Sequence, residues 1–428
     1  MILSASLVCL AATSASQISK SDRDTAEHML RDVAADVKKY YYDPKLHGLD
    51  WDSKVAETRQ NIDKADSMDS AVSEIAALLD SLNDSHTVFI LPPRSYVYKR
   101  GFRMKIIGDR CLITYVQPGS DAEMKDLRLG DQVLAINEVA VTRKSLPRIR
   151  YIFFKLRPHA SIRLTLAGGT GEKRQVDVVA KVEPAPIVHY RLNQGINFEV
   201  RDWNDEYTLL EPQYFAKGDD FLAVRIPAFE LSPEAVDWVL GRMRKHKGVV
   251  LDLRGNPGGF TKTLDRLVGG LFENDLKIYD RIGRDSTTTV SVKGRHQDAF
   301  TGRFVVLVDN SSASASELLA RIVQLQKRGF VMGDRTAGAV MEARIYRHEM
   351  LVDTDVYYGA EISAFDLLMS DGKSLEHIGV EPDIFLLPTP PDIAAHRDPV
   401  MAKAAGLVGT KITPDEAGSM FPEKEAKH

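Results

Sequence analysis

Apolar and polar positions alternate in a different manner in successive stretches of the chain. In residues 70–82, Ala71, Ile75, Leu78, Leu79 and Leu82 recur at helical spacing. Residues 66–69 supply capping side chains ahead of them, which predicts a helix. The charged stretch 21–35 is also helical in character, so 17–95 reads as a small helical region that ends in a turn and a short apolar strand. Between 97 and 185 the period shortens to that of strands, with runs at 103–107, 111–116, 132–136, 161–166 and 175–179. Gly108-Asp109, Pro118-Gly119, Gly130-Asp131 and Gly168-Gly169 supply turns between them, and one helical run, 145–156, interrupts the series. From 186 to 390 strands and helices alternate. Strands fall at 221–226, 248–253, 304–308 and 329–332, and helices at 232–245, 264–272 and 313–327, a pattern that favours an α/β core. An apolar helix over 398–408 follows, and the polar terminus from 414 onward reads as loose.

The first sixteen residues carry no charge and are apolar from 2 to 12, too short to span a bilayer. With Ser14-Ala15-Ser16 as a small-residue cleavage site, residues 1–16 read as a signal peptide, and the protein as secreted or periplasmic. No later segment is long and apolar enough to span a membrane. Of the two cysteines only Cys111 would then remain, inside an apolar run that makes it a packing residue.

Length and composition add bounds. At 428 residues the chain should hold two or three domains, and 44% hydrophobic with 27% charged residues describes a folded globular protein. A formal charge of -4 leaves no basic excess for a dedicated nucleic-acid binder.

Two segments carry chemistry. In 304–323, FVVLVDNSSASASELLARIV, a strand runs through small residues into a helix. A serine there stands at a helix N-terminus, where free N–H groups favour developing negative charge. Taken alone, the segment is explained better by simple capping, since serine-rich helix starts are common. In 247–259, KGVVLDLRGNPGG, an apolar strand ends in Asp252, Arg254, Asn256 and paired glycines that can aim N–H groups into a cleft. It lacks the pattern of a phosphate loop. Asp252 and Arg254 read as an ion pair supporting the glycines.

Together with the order of segments and the ending LEHIGVEPDI (375–384), these motifs resemble the C-terminal-processing and tricorn-like serine peptidases. The run 116–141, VQPGSDAEMKDLRLGDQVLAINEVAV, resembles a PDZ domain. The resemblance implies a multidomain α+β protein: an N-terminal helical region, a PDZ-like β domain at 97–185 and an α/β, crotonase-like catalytic core at 186–390, followed by a helix and tail at 391–428. It implies a serine endopeptidase acting on polypeptides through an acyl-enzyme, without a cofactor. Ser314 would be the nucleophile, and the oxyanion hole would be the N–H of Ala315 with that of Gly258 or Gly259.

The better-known branch of the family uses a Ser-Lys dyad, and Ala339 stands here where its lysine would be. The tricorn-like branch, with a His base, a Ser and a Glu, maps onto His86, Ser85 and Glu376. His86 would take the proton from Ser314, with Glu376 orienting the chain of hydrogen bonds directly or through Ser85. His377 is a rival base. No histidines fall at metal-ligand spacing such as H-E-x-x-H, so no metal is expected. In the PDZ-like domain, Gly101 and Phe102 belong to the loop expected to bind a peptide. The missing lysine keeps two other readings in view. One is a non-catalytic ligand- or peptide-binding protein, as in the retinoid-binding repeats of the eye; the other is an adaptor working through the PDZ-like domain.

Overall fold

A computed structural model of the chain describes residues 18–92, 94–169, 171–184, 211–352 and 354–421. The leader at 1–16 lies outside these residues.

Three helices open the chain: α1 (Lys20–Tyr40), α2 (Trp51–Asp63) and α3 (Met68–Asp80). Each is capped by a side-chain oxygen, from Ser19, Asp50 and Ser67 respectively. Their apolar faces bury Met29, Leu30, Val33, Ile75 and Leu79, and the same cluster takes in Tyr358, Ala360 and Ile362 from far along the chain. The short strand β1 (Val88–Ile90) follows and leaves the helices to pair elsewhere.

Next comes a small β-domain. Its strands are β2 (Tyr96–Lys99), β3 (Phe102–Ile107), β4 (Arg110–Val116), β5 (Gln132–Ile136), β6 (Val139–Ala140), β7 (Ser161–Ala167), β8 (Lys173–Val179) and β9 (Lys181–Pro184). A one-turn helix, α4 (Asp121–Met124), and α5 (Leu146–Arg150) lie among them; α5 runs on as a wider π-helical turn over Tyr151–Leu156. The main sheet has the order β3-β4-β5-β7-β8, so β3 is an edge, while β2 pairs with β9. Cys111 is buried in this core, and burial pushes its thiol up to about 12.

The α/β core is a six-stranded sheet of order β10-β11-β12-β15-β16-β19, parallel apart from the first pair. Its strands are β10 (Gln213–Lys217), β11 (Phe221–Arg225), β12 (Gly248–Asp252), β15 (Arg303–Val308), β16 (Phe330–Gly333) and β19 (Ile384–Phe385). Alternate residues face opposite layers. Leu222, Val224, Val249, Leu251, Val306 and Val308 pack against α6 (Pro233–Met243), α7 (Thr261–Gly269) and α8 (Ala315–Leu325). Phe221, Ala223, Val250, Val305 and Leu307 pack against α10 (Pro399–Leu407) and α11 (Pro414–Gly418). Burial on both faces explains why β12 and β15 read as unbroken apolar runs. A shorter helix, α9 (Pro390–Ala394), precedes α10.

A second sheet had no counterpart among the expected elements. It joins β13 (Leu276–Gly283) and β14 (Thr287–Val292) to a long hairpin, β17 (Met341–Val352) and β18 (Thr354–Met369). β1 pairs antiparallel with β18, Phe89 opposite Ala360, which seats the N-terminal helices on the hairpin. The terminus at 414–421 departs from expectation too: Thr413 caps α11, and Ala417, Met420 and Phe421 are buried.

One latch joins the β-domain to the core. Arg143 donates to both Asp334 carboxylate oxygens at 2.8 Å and to the Arg335 carbonyl at 2.9 Å, while Gly108 N–H donates to Asp334 at 2.8 Å. The side chains are 16% and 5% exposed. Removing one partner strands a nearly buried charge. Arg143→Ala should therefore cost about 3 kcal/mol of stability, read as a lower denaturation midpoint; an unchanged midpoint would show the latch to be idle.

Candidate active site

The site begins at the break between β15 and α8. Ser314 is the helix N-cap and has φ 53° and ψ −117°, a conformation that a non-glycine residue holds only under constraint. That turn puts the side chain of a strand-to-helix serine at a half-buried corner, as in a nucleophile elbow. Its N–H donates to the Ala339 carbonyl at 2.8 Å and to Glu317 at 3.1 Å.

The glycine loop after β12 closes on this corner. Gly258 has φ +100°, and a β-carbon there would stand 2.7 Å from Ser314 Cβ and 3.0 Å from Ala315 N. Only glycine fits. Gly259, at φ +139°, is packed as closely on the Phe229 backbone. Buried Asn256 spans the loop: its amide donates to the Ile226 carbonyl, and its oxygen accepts Gly258 N–H at 2.8 Å. The Gly258 N–H is thereby spent. No hydrogen bond within the described residues engages the N–H of Gly259 or of Ala315. Beneath the loop, buried Asp252 takes Arg225 and Arg254, and Arg254 reaches on to Asp398. The two arginines hold its carboxyl well below the usual range, despite burial pushing the other way.

His86 arrives from the N-terminal helices. Asp84 accepts the N–H of His86 at 2.9 Å and of Thr87 at 2.7 Å, a tight turn that fixes the histidine. Ser363 of β18 donates its hydroxyl to Asp84 and its N–H to Thr87, so the turn is fastened to the hairpin. The Ser85 hydroxyl lies 2.7 Å from His86 Nδ1 and 2.8 Å from Glu376 Oε2. Glu376 also accepts Ser85 N–H at 2.7 Å and Val340 N–H at 2.7 Å.

These contacts determine the proton positions. An ionised Glu376 only accepts, so the single Ser85 hydroxyl proton goes to it. The hydroxyl must then accept from His86, which places the ring proton on Nδ1 and leaves Nε2 with its lone pair. Burial lowers the His86 pKa below the ordinary 6.5, and the charges of Glu376 and Asp84 oppose that shift. The ring is thus neutral near pH 7.

The backbone next to Ala339 links the two halves. Ala339 accepts the N–H of Ser314, and its neighbour Val340 donates to Glu376. Ser314 and Glu376 are therefore both tied to residues 339–340, and Ser85 and His86 join them through the hydrogen bonds to Glu376. Gly101 and Phe102 stand apart, at the start of edge strand β3 in the β-domain. His377 points its Nε2 to the Asn83 carbonyl at 2.8 Å, which uses that nitrogen as a donor. Sequence reasoning gave no role to Asp84, Asn256, Thr336 or Glu317. The last was visible as the acid three residues after Ser314, a capping-box spacing.

Residues 220–386 match the model of peptidase family S41. The protein is accordingly a serine-type peptidase. The chain is similar to the chloroplastic C-terminal processing peptidase of Tetradesmus obliquus, 25% identical over 82% of this chain and 75% of that protein. It is also similar to putative tricorn protease homolog 2 of Streptomyces coelicolor, 24% identical over 91% of this chain but only 34% of that longer protein. Mature CPAF shares this chain's fold, with a TM-score of 0.66 at 14% identity, over 92% of this chain and all of that one.

Two outcomes follow from the relay. Ser85→Ala should lower kcat by roughly 100-fold or more, because the imidazole loses the partner that fixes its tautomer. His86 should titrate below 6.5 by NMR and lower still in Glu376→Gln, since that change removes a charge that favours the imidazolium. A midpoint above 6.5 would contradict the assignment.

Proposed function

We propose that the protein is a serine endopeptidase that cleaves polypeptides through an acyl-enzyme, with Ser314 as nucleophile and His86 as base. The observation that carries this reading is the Glu376–Ser85–His86 relay, which leaves Nε2 unprotonated in a site that also holds a constrained serine at a helix start. Ala339 occupies the place of the lysine used in the other branch, and the relay supplies the base that would otherwise be missing.

In the first step Ser314 Oγ bonds to the substrate carbonyl carbon while its proton passes to His86 Nε2. The carbonyl electrons move onto oxygen, where the N–H groups of Ala315 and Gly259 receive the charge. The peptide C–N bond then breaks, and His86 returns its proton to the departing amine. Water repeats the sequence on the ester: His86 takes a proton from it, the C–O bond to Ser314 breaks, and Ser314 regains a proton. Glu376 and Ser85 hold the imidazole and stabilise its transient charge.

The β-domain, with its open edge strand β3 and the loop at Gly101 and Phe102, is proposed to be PDZ-like and to take a peptide as an added strand. Residues 1–16 are proposed to direct export.

Ser314→Ala should remove nearly all cleavage of an unfolded protein, a loss of roughly 10³-fold or more in kcat/KM. A fluorophosphonate probe should label Ser314 in the wild type and not in His86→Ala. Wild-type protein that neither cleaves nor labels would favour a non-catalytic binding protein on the same scaffold.

A further inference from the structure

One buried carboxylate beside the nucleophile has no part in the reaction just described. Glu317 is fully buried. Its Oε1 accepts the Thr336 hydroxyl at 2.5 Å and Gly338 N–H at 2.8 Å; its Oε2 accepts Ala339 N–H at 2.9 Å and Ser314 N–H at 3.1 Å. Capping the helix accounts for the Ser314 bond alone. Burying a carboxylate costs several kcal/mol, and burial pushes this one up to about 7 against the pull of its four donors. A glutamine would avoid that cost, yet its side chain brings two N–H donors of its own and offers one acceptor oxygen. Only a carboxylate accepts all four bonds at once.

Those bonds join three separate segments. Thr336 accepts Val380 N–H at 2.6 Å and donates its own N–H to the Val380 carbonyl, which fixes the stretch that carries Glu376. Ala337 N–H donates to the Ser312 carbonyl, and Ala339 accepts from Ser314. Val340 then donates to Glu376. The constrained backbone at Ser314 persists only if its surroundings over-determine it, and Glu317 is where those surroundings meet.

We propose that Glu317 is a positioning residue of the peptidase site: it holds Ser314 in its constrained conformation and sets the 336–340 loop through which Glu376 is aimed at Ser85. This rests on the acyl-transfer reading above.

The test is steady-state kinetics and fluorophosphonate labelling of the full chain carrying Glu317→Gln. Misplacement of reacting groups predicts a fall in kcat of roughly 100-fold with KM changed by less than about threefold. The labelling rate of Ser314 should fall in parallel. Thr336→Val, which deletes one donor, should lower kcat about tenfold, and Thr336→Ser should restore it; this pair decides the matter if the glutamine variant does not fold. A folded glutamine variant that labels as fast as wild type overturns the proposal, as does Thr336→Val turning over as fast as Thr336→Ser. Wild-type protein that fails to label at Ser314 defeats the acyl-transfer reading, and this inference with it.

Discussion

Ser85 and Glu376 are 291 positions apart in sequence, and their hydrogen bonds bring the first helical unit into register with the end of the core. His86 is not built into the sheet that carries Ser314. It is delivered by β1 pairing with β18, by the burial of Tyr358, Ala360 and Ile362 under the helices, and by Ser363 gripping Asp84 and Thr87. Apolar packing brings the pieces together, and short polar contacts then fix the direction of one imidazole. Loosening the packing would displace His86 before it disturbed Ser314.

The buried charge in this core follows a similar division of labour. Asp252 with Arg225 and Arg254 supports the glycine loop, and Arg254 fastens α10 through Asp398. Glu317 supports Ser314 and the 336–340 loop. Ala339 contributes through its backbone alone: its carbonyl and N–H bind Ser314 and Glu317. Under the proposed mechanism a position that holds a lysine in the other branch acts as scaffold, and the base comes from elsewhere in the chain.

Much of this was legible in the residues. The strands at 248–252 and 303–308 showed as apolar runs because both their faces are covered, and the SASASE and RGNPGG segments marked the corner where the site forms. The β17–β18 hairpin was not legible. Arg344, Arg347, His348 and Glu349 interrupt its apolar pattern, since it is a sheet only half covered by the helices. The sequence left open the choice between Gly258 and Gly259 as a proposed oxyanion donor, because it depends on Asn256 taking the Gly258 N–H across a turn. It also left open the choice between His86 and His377, and the proposal for His86 leans on the Asn83 carbonyl accepting from His377. The C-terminal residues looked loose for want of a long apolar run, yet Met420 and Phe421 are enough to seat them.

The account depends on which ring nitrogen of His86 carries the proton. Nitrogen NMR of the histidine-labelled protein near pH 7 reads this directly. The relay predicts a protonated Nδ1, with a proton resonance shifted far downfield by the Ser85 hydroxyl, and a bare Nε2. A neutral ring protonated at Nε2 would mean that His86 has no lone pair to offer Ser314, and would contradict the account.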